Sequence, residues 1–142
     1  MVVEGPLEEE SQAEGRLNNG ITFDTGALIA LERRVQRARK IVERAVERKI
    51  RITVPSPVLA EWWRGRSDVR EAIVSAVRVE PLSEALAKSA GEALASLRGA
   101  TPIDAIVMAS AAQRGDLVYT TDVHDLERLR RYFPSVRVLG IG

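Results

Sequence analysis

Short β-prone runs alternate with helical segments along the chain, and this alternation limits the possible folds more than any other feature. Such runs are separated by stretches long enough for one or more helices. Strands that are joined through helices form parallel crossover units. We therefore predict an α/β fold, a three-layer α/β/α sandwich with a mostly parallel central sheet. Its strands are expected to be the runs ITF, ITV, VRVE, LVYT and VRVL at residues 21–23, 52–54, 77–80, 117–120 and 136–139.

Helical periodicity and end signals locate the helices between these runs. Ser56 and Pro57 predict a helix start, with Ser56 as the N-cap and Pro57 at the first helical position. Gly99 and Gly115 are expected to end the helices that precede them. Apolar residues at helical spacing then predict helices at residues 26–31, 35–49, 56–65, 68–77, 83–97, 101–114 and 123–132.

The first 20 residues differ in composition from the remainder of the chain. Residues 1–20 contain five Glu and one Arg, a net charge of −4, and show no sustained hydrophobic period. We therefore predict an acidic N-terminal extension at residues 1–20 and one folded domain at residues 21–142. The remaining residues carry a net charge of +5, which is compatible with a nucleic-acid partner.

Several classes of function are excluded by what the sequence lacks. There is no cysteine, which excludes disulfides, thiol nucleophiles and cysteine-ligated zinc. His124 is the only histidine, so a catalytic histidine pair is excluded as well. Neither of the glycine-rich phosphate-binding patterns of dinucleotide- and triphosphate-binding proteins occurs. No apolar run approaches the roughly 20 residues of a membrane-spanning helix, so we expect a cytoplasmic protein without a membrane partner.

Acidic residues follow the strands at the edge where a parallel sheet forms its sites. Asp24 ends the first run, Asp122 lies just past the fourth, and Asp125 follows three residues later. In open parallel sheets, ligands bind outside the carboxyl ends of the strands. Two further acids lie early in helices: Asp104 in a first turn and Glu61 in a second turn. We therefore expect these five carboxylates to converge.

Converging carboxylates repel one another unless a cation lies between them. Mg²⁺ and Mn²⁺ are hard ions that take oxygen ligands, so the pattern predicts a divalent-metal site. A structural explanation also exists for each acid. Asp24, Asp104 and Asp122 can cap helices, and Glu61 can pair with Arg64 on a surface. On that alternative, the chain is a non-catalytic α/β module that binds another protein.

The acids lie in four segments, FDTGALIA, PVLAE, PIDAIVMA and YTTDVHDL, at residues 23–30, 57–61, 102–109 and 119–126. In order and spacing these segments resemble the acidic segments of PIN-domain nucleases, and most closely those of the VapC toxins of type II toxin–antitoxin pairs. The resemblance spans residues 21–139, nearly the whole chain outside the extension. Family members usually have Ser where Gly26 stands.

The resemblance implies a metal-dependent ribonuclease with an RNA substrate, a small antitoxin protein as its inhibitor, and a homodimer. It implies a PIN-like fold and a site that binds Mg²⁺ or Mn²⁺. One of the neighbouring Trp62 and Trp63 is expected in the core and the other at a dimer contact. The implied catalytic metal ligands are Asp24, Glu61, Asp104 and Asp122, with Asp125 as an accessory ligand and Thr120 as a supporting residue.

Overall fold

Five parallel strands form one central sheet in the order β3-β2-β1-β4-β5. The computed structural model describes residues 20–141, so the predicted extension lies outside the described residues except for Gly20. Every neighbouring pair of strands is parallel. This sheet confirms the predicted α/β class. The strands are β1 (Ile21–Phe23), β2 (Ile52–Pro55), β3 (Arg78–Glu80), β4 (Leu117–Thr120) and β5 (Arg137–Gly140).

Seven α-helices connect the strands in the described part of the chain. A single segment predicted at residues 123–132 is divided into the last helix and a 3₁₀ turn, Arg128–Arg131. Pro134 follows shortly afterwards and disfavours helical continuation at the residue before it. The helices are α1 (Thr25–Glu32), α2 (Gln36–Arg48), α3 (Ser56–Trp62), α4 (Asp68–Ala76), α5 (Glu84–Ser96), α6 (Pro102–Arg114) and α7 (Val123–Glu127).

The N-cap prediction for Ser56 is wrong by one residue. Strand β2 continues through Pro55, which is the N-cap, and Ser56 is already the first helical residue. Its hydroxyl accepts a hydrogen bond from the amide of Leu82 at 3.2 Å instead of capping the helix. The side chain that was predicted to cap α3 therefore binds the backbone of the loop after β3. Gly115, by contrast, ends α6 as predicted, and it does so in the left-handed conformation, with φ of +73°.

Helix α6 packs against the three central strands, in a core to which the other helices also contribute. Residues 105–111 of this helix are all buried, so the central turns of α6 are enclosed by protein on every side. Beneath it, Phe23 of β1 and Tyr119 of β4 pack edge to face, with ring centroids 6.4 Å apart. Burying a large side chain of this kind stabilises a fold by about 1.5–3 kcal/mol. Helix α6 is therefore held firmly, and it carries Asp104 in its first turn.

A buried polar network fixes the other end of α6. Arg114 donates to Asp116 at 2.9 Å, to Glu80 at 3.0 Å and to the Thr22 hydroxyl at 2.9 Å. Asp116 is 1% exposed, so this guanidinium is the cation that offsets its burial. The network connects α6 to β1, β3 and the start of β4. Nothing in the local sequence pattern predicted it.

Candidate active site

Asp24 lies directly after β1 at the carboxyl edge of the sheet and is only 8% exposed. Its Oδ1 accepts a hydrogen bond from the amide of Ala27 at 2.9 Å, which makes Asp24 the N-cap of α1. Its Oδ2 accepts a hydrogen bond from the hydroxyl of Thr120. Both oxygens are therefore oriented by the protein, one by a helix amide and one by the neighbouring strand.

Thr120 links two of the predicted acids. It is the last residue of β4 and is fully buried. While its hydroxyl donates to Asp24, the same oxygen accepts a hydrogen bond from the amide of Asp122 at 2.8 Å. The structure thus places Thr120 between Asp24 and Asp122, and its supporting role in a metal site stays a prediction.

Asp104 faces the same edge from the start of α6. Thr101 caps this helix, since its hydroxyl accepts a hydrogen bond from the Asp104 amide at 3.1 Å. The pKa of the half-buried Asp104 carboxyl is raised, first by its burial and then by the charges of Asp125, Asp122 and Glu61, while the Thr101 hydroxyl lowers it. The carboxyl group itself is not needed for this cap.

The pKa of Asp24 is raised from 3.8 to about 6. Burial is the largest cause, and the charges of Asp104 and Asp122 raise it further, against the lowering effect of the hydrogen bonds from Thr120 and Ala27. Asp24 and Asp104 together feel the charge of all the other predicted acids. The five carboxylates therefore form one electrostatic cluster, which we call the carboxylate edge: Asp24, Glu61, Asp104, Asp122 and Asp125.

Glu61 joins the carboxylate edge from α3 and is exposed. The hydroxyl of Thr25, the residue after Asp24, donates a hydrogen bond to its carboxylate. Arg64 instead donates to two backbone carbonyls, those of Ala60 and Trp63. In the region that the structure describes, Glu61 therefore does not form the surface ion pair that was considered as its alternative role.

Helix capping and membership of the carboxylate edge are compatible for two of the acids. Asp24 caps α1, and Asp122 caps α7 by accepting from the Asp125 amide at 3.4 Å. Capping explains why an aspartate precedes each of these two helices. It does not explain why acids from four different elements lie close enough to raise the pKa values of Asp24 and Asp104.

The donor set suits a hard divalent ion, although no ready-made cage is present. Within residues 20–141, no group of three or more Asp, Glu, His or Cys side chains is arranged to hold a metal ion. All the candidate ligands are carboxylates, which Mg²⁺ and Mn²⁺ prefer. Burial and the neighbouring acids raise the pKa values of Asp24 and Asp104, and a bound cation would offset the negative charge that these acids share.

Two hydroxyl residues beside the acids were not singled out by the sequence. Thr25 contacts Glu61, and Thr121 fills the space beside Gly26. A Cβ added at Gly26 would lie 2.1 Å from the Thr121 hydroxyl oxygen and 3.2 Å from its Cβ. The Thr121 side chain therefore occupies the place that a side chain at position 26 would take. In the sequence, only their positions next to Asp24 and Asp122 could have pointed to these two threonines.

This contact predicts coupling between the two positions. Gly26→Ala is expected to destabilise the fold by about 1–3 kcal/mol because the new methyl group overlaps the Thr121 side chain. Thr121→Ala should recover at least half of that loss, giving a coupling free energy above about 0.5 kcal/mol. Urea unfolding of both single variants and the double variant measures it. Additive effects would show that the two positions do not compete for one space.

The PIN domain family model matches residues 21–132 of the chain. The chain belongs to the PIN-domain family. This match confirms the relationship that the four acidic segments predicted, and it includes all five residues of the carboxylate edge. No curated protein matches the sequence.

Solved structures share the fold of this PIN domain at low sequence identity. DNA-bound VapBC from Salmonella typhimurium is 20% identical, with a TM-score of 0.69 over 86% of this chain and 98% of that one. VapBC2 from Rickettsia felis, bound to a promoter DNA fragment, is 14% identical, with the same TM-score and coverage. FitAB bound to an IR36 DNA fragment is 17% identical, with a TM-score of 0.63 over 84% and 94%.

None of the helices between residues 20 and 141 has the length and apolar character needed to cross a bilayer.

Proposed function

We propose that this PIN domain is a metal-dependent ribonuclease that hydrolyses RNA phosphodiester bonds and acts as the toxin of a toxin–antitoxin pair. The observation that carries the proposal is the carboxylate edge, in which acids from separate elements meet where strands β1 and β4 end. Perturbed pKa values of this kind concentrate at functional sites. The family match and the VapBC and FitAB neighbours support the nuclease and toxin assignments.

In this proposal Asp24, Asp104 and Asp122 hold Mg²⁺ or Mn²⁺, with Glu61 acting directly or through water and Asp125 as an accessory ligand. The ion would lower the pKa of water and offset charge on the phosphate oxygens. The chain's own residues orient the ligands. Thr120 and the Ala27 amide orient the Asp24 carboxylate, and Thr120 also accepts a hydrogen bond from the backbone of Asp122.

The proposed partners are an RNA substrate, a small antitoxin and a second copy of the chain. A cationic side chain of an antitoxin could enter the carboxylate edge, since guanidinium pairs bidentately with carboxylates. Trp62 is buried and its indole donates to Glu32 at 2.9 Å, which confirms that one tryptophan packs in the core. Trp63 is half-buried and packs edge to face on Trp62, so it is the tryptophan we assign to a dimer contact.

Growth measurements test the toxin assignment. Expression of the chain alone is expected to stop growth, whereas Asp104→Asn, expressed to the same level, should not. Co-expression with the small protein encoded beside it should restore growth and give a complex that purifies together. If the wild-type chain accumulates harmlessly as a monomer without a partner, the toxin assignment fails. Cleavage of RNA by the purified chain, stopped by EDTA, tests the nuclease assignment separately.

A non-catalytic protein-binding module is the second candidate. It is favoured by the observation that Asp24 and Asp122 do cap α1 and α7. This candidate requires that the chain bind no divalent ion and that Asp104→Asn leave its function unchanged. The Asp104 carboxyl is the discriminating group, because the cap of α6 is made by Thr101 and not by Asp104.

A further inference from the structure

A guanidinium lies at the rim of the carboxylate edge. Arg128, the first residue of the 3₁₀ turn, donates through Nη2 to the carbonyl oxygen of Gly99 at 3.0 Å. The same nitrogen lies 3.8 Å from Oδ1 of Asp125. Gly99 belongs to the loop that leads into α6 and Asp104, and Asp125 belongs to α7. Arg128 therefore bridges the two segments that carry these acids.

Arg128 packs closely against the loop backbone at Gly99. The Gly99 φ of +83° lies in the left-handed region, and an added Cβ would lie 2.9 Å from Nη1 of Arg128. Glycine adopts this backbone conformation readily, whereas residues with a side chain rarely do. The guanidinium is thus seated against the loop backbone in one orientation, although its side chain remains 43% exposed.

Most of the hydrogen-bonding capacity of Arg128 is unused within residues 20–141. A guanidinium has five N–H donors in a planar fork. One donor is taken by Gly99, and the 3.8 Å separation from Asp125 is too long for a hydrogen bond. The remaining donors lie at the exposed rim. A phosphate matches the fork geometry of such a group better than any other component of RNA.

An RNA substrate can approach the carboxylate edge only where a cationic group offsets its negative charge. RNA is a polyanion, and five neighbouring carboxylates repel it wherever no cation intervenes. Resting on the proposed ribonuclease function, we infer that Arg128 binds a backbone phosphate of the RNA beside the carboxylate edge and so places the strand across it. Arg128 is then a substrate-binding residue for this site, and its hydrogen bond to Gly99 positions the guanidinium before RNA binds.

Arg130 provides a matched control two residues away. Its side chain is 37% exposed, it faces Glu127 at 3.5 Å with the same three-residue spacing, and it also donates to a backbone carbonyl, that of Pro134, at 3.3 Å. It lines a surface cleft with Arg137, the first residue of β5, whereas the carboxylates lie where strands end. Arg130→Gln thus removes the same charge and similar contacts away from the site.

The test is fluorescence anisotropy of a short mixed-sequence single-stranded RNA with the full chain, in EDTA and at several salt concentrations. Arg128→Gln is expected to weaken binding about tenfold, as for the loss of a hydrogen bond to a charged group. It should also reduce the slope of log affinity against log salt by about 0.7, one phosphate contact to a single strand. Arg130→Gln should change affinity less than twofold, and Arg128→Lys should retain the salt slope.

A different result is expected if Arg128 only stabilises the fold by connecting the Gly99 loop with α7. Equal affinities for Arg128→Gln and Arg130→Gln, or a lower melting temperature of Arg128→Gln with an unchanged salt slope, would overturn the phosphate-binding role. In either case wild-type RNA binding would leave the proposed ribonuclease function standing. If RNA fails to bind even the wild-type chain in EDTA, the role of Arg128 is overturned, because that role needs no metal ion. Cleavage of RNA in Mn²⁺ then decides separately whether the RNA-directed function stands.

Discussion

Asp24→Asn is expected to abolish RNA cleavage, by at least about a thousandfold, while leaving the fold as stable as the wild type or more stable. Activity falls because a neutral amide is a poor ligand for a divalent ion. The fold survives because an asparagine side-chain oxygen can still cap α1 at the Ala27 amide. RNA cleavage assays with Mn²⁺ and urea unfolding at neutral pH measure the two effects.

The stability effect of Asp24 follows from the direction of its pKa shift. Its pKa is about 6 in the folded chain, against 3.8 for an unperturbed group. Ionised Asp24 therefore destabilises the fold by about 3 kcal/mol above pH 6, and this effect disappears below about pH 4. Wild-type stability should fall as the pH rises between these values. The Asp24→Asn variant should lack that part of the pH dependence.

Asp24→Ala is the informative control for this experiment. Alanine also removes the negative charge, but unlike asparagine it leaves the Ala27 amide uncapped. The loss of an N-cap alone costs about 1 kcal/mol, so Asp24→Ala should be less stable than Asp24→Asn. An Asp24→Asn variant that unfolds, or that cleaves RNA at the wild-type rate, would contradict the assignment of Asp24 as a ligand.

Mn²⁺ is expected to bind the metal-free chain saturably and to raise its melting temperature, by more at pH 7.5 than at pH 5. An ion that binds only the folded state adds about 2.7 kcal/mol of stability at a hundred times its Kd. Protons compete with the ion for Asp24 and Asp104, since both pKa values are raised. Affinity should therefore decrease as the pH falls through about 6. Isothermal titration and thermal unfolding at both pH values measure this.

Two variants make the metal experiment specific. Asp104→Asn should weaken Mn²⁺ binding strongly, because it removes a carboxylate that the α6 cap does not need. Asp68→Asn serves as the control, since Asp68 is an exposed acid in the first turn of α4. Undiminished binding by Asp104→Asn would remove Asp104 from the site. Equal weakening by both variants would indicate a general charge effect without a specific site.

Local sequence patterns determined most of the secondary structure and the edge at which the acids lie. Period-two and period-3.6 patterns depend only on neighbouring residues, so the five strands and the helices between them were predictable within a few residues. Strand–helix alternation then required parallel crossovers, and parallel strands bring their carboxyl ends to one edge. The positions of Asp24 and Asp122 after β1 and β4 follow from these two facts alone.

Only the tertiary structure decided how the acids are held and what surrounds them. Thr120 bonds Asp24 from 96 residues away, and Arg128 contacts Gly99 from 29 residues away. No periodicity relates such pairs, because side chains meet across the fold only after strand order and helix packing are set. For the same reason, the sequence could not predict the Arg114 network or the packing of Thr121 against Gly26. The raised pKa of Asp24 also belongs to the tertiary structure, since burial causes most of it and burial has no local signature at a single aspartate.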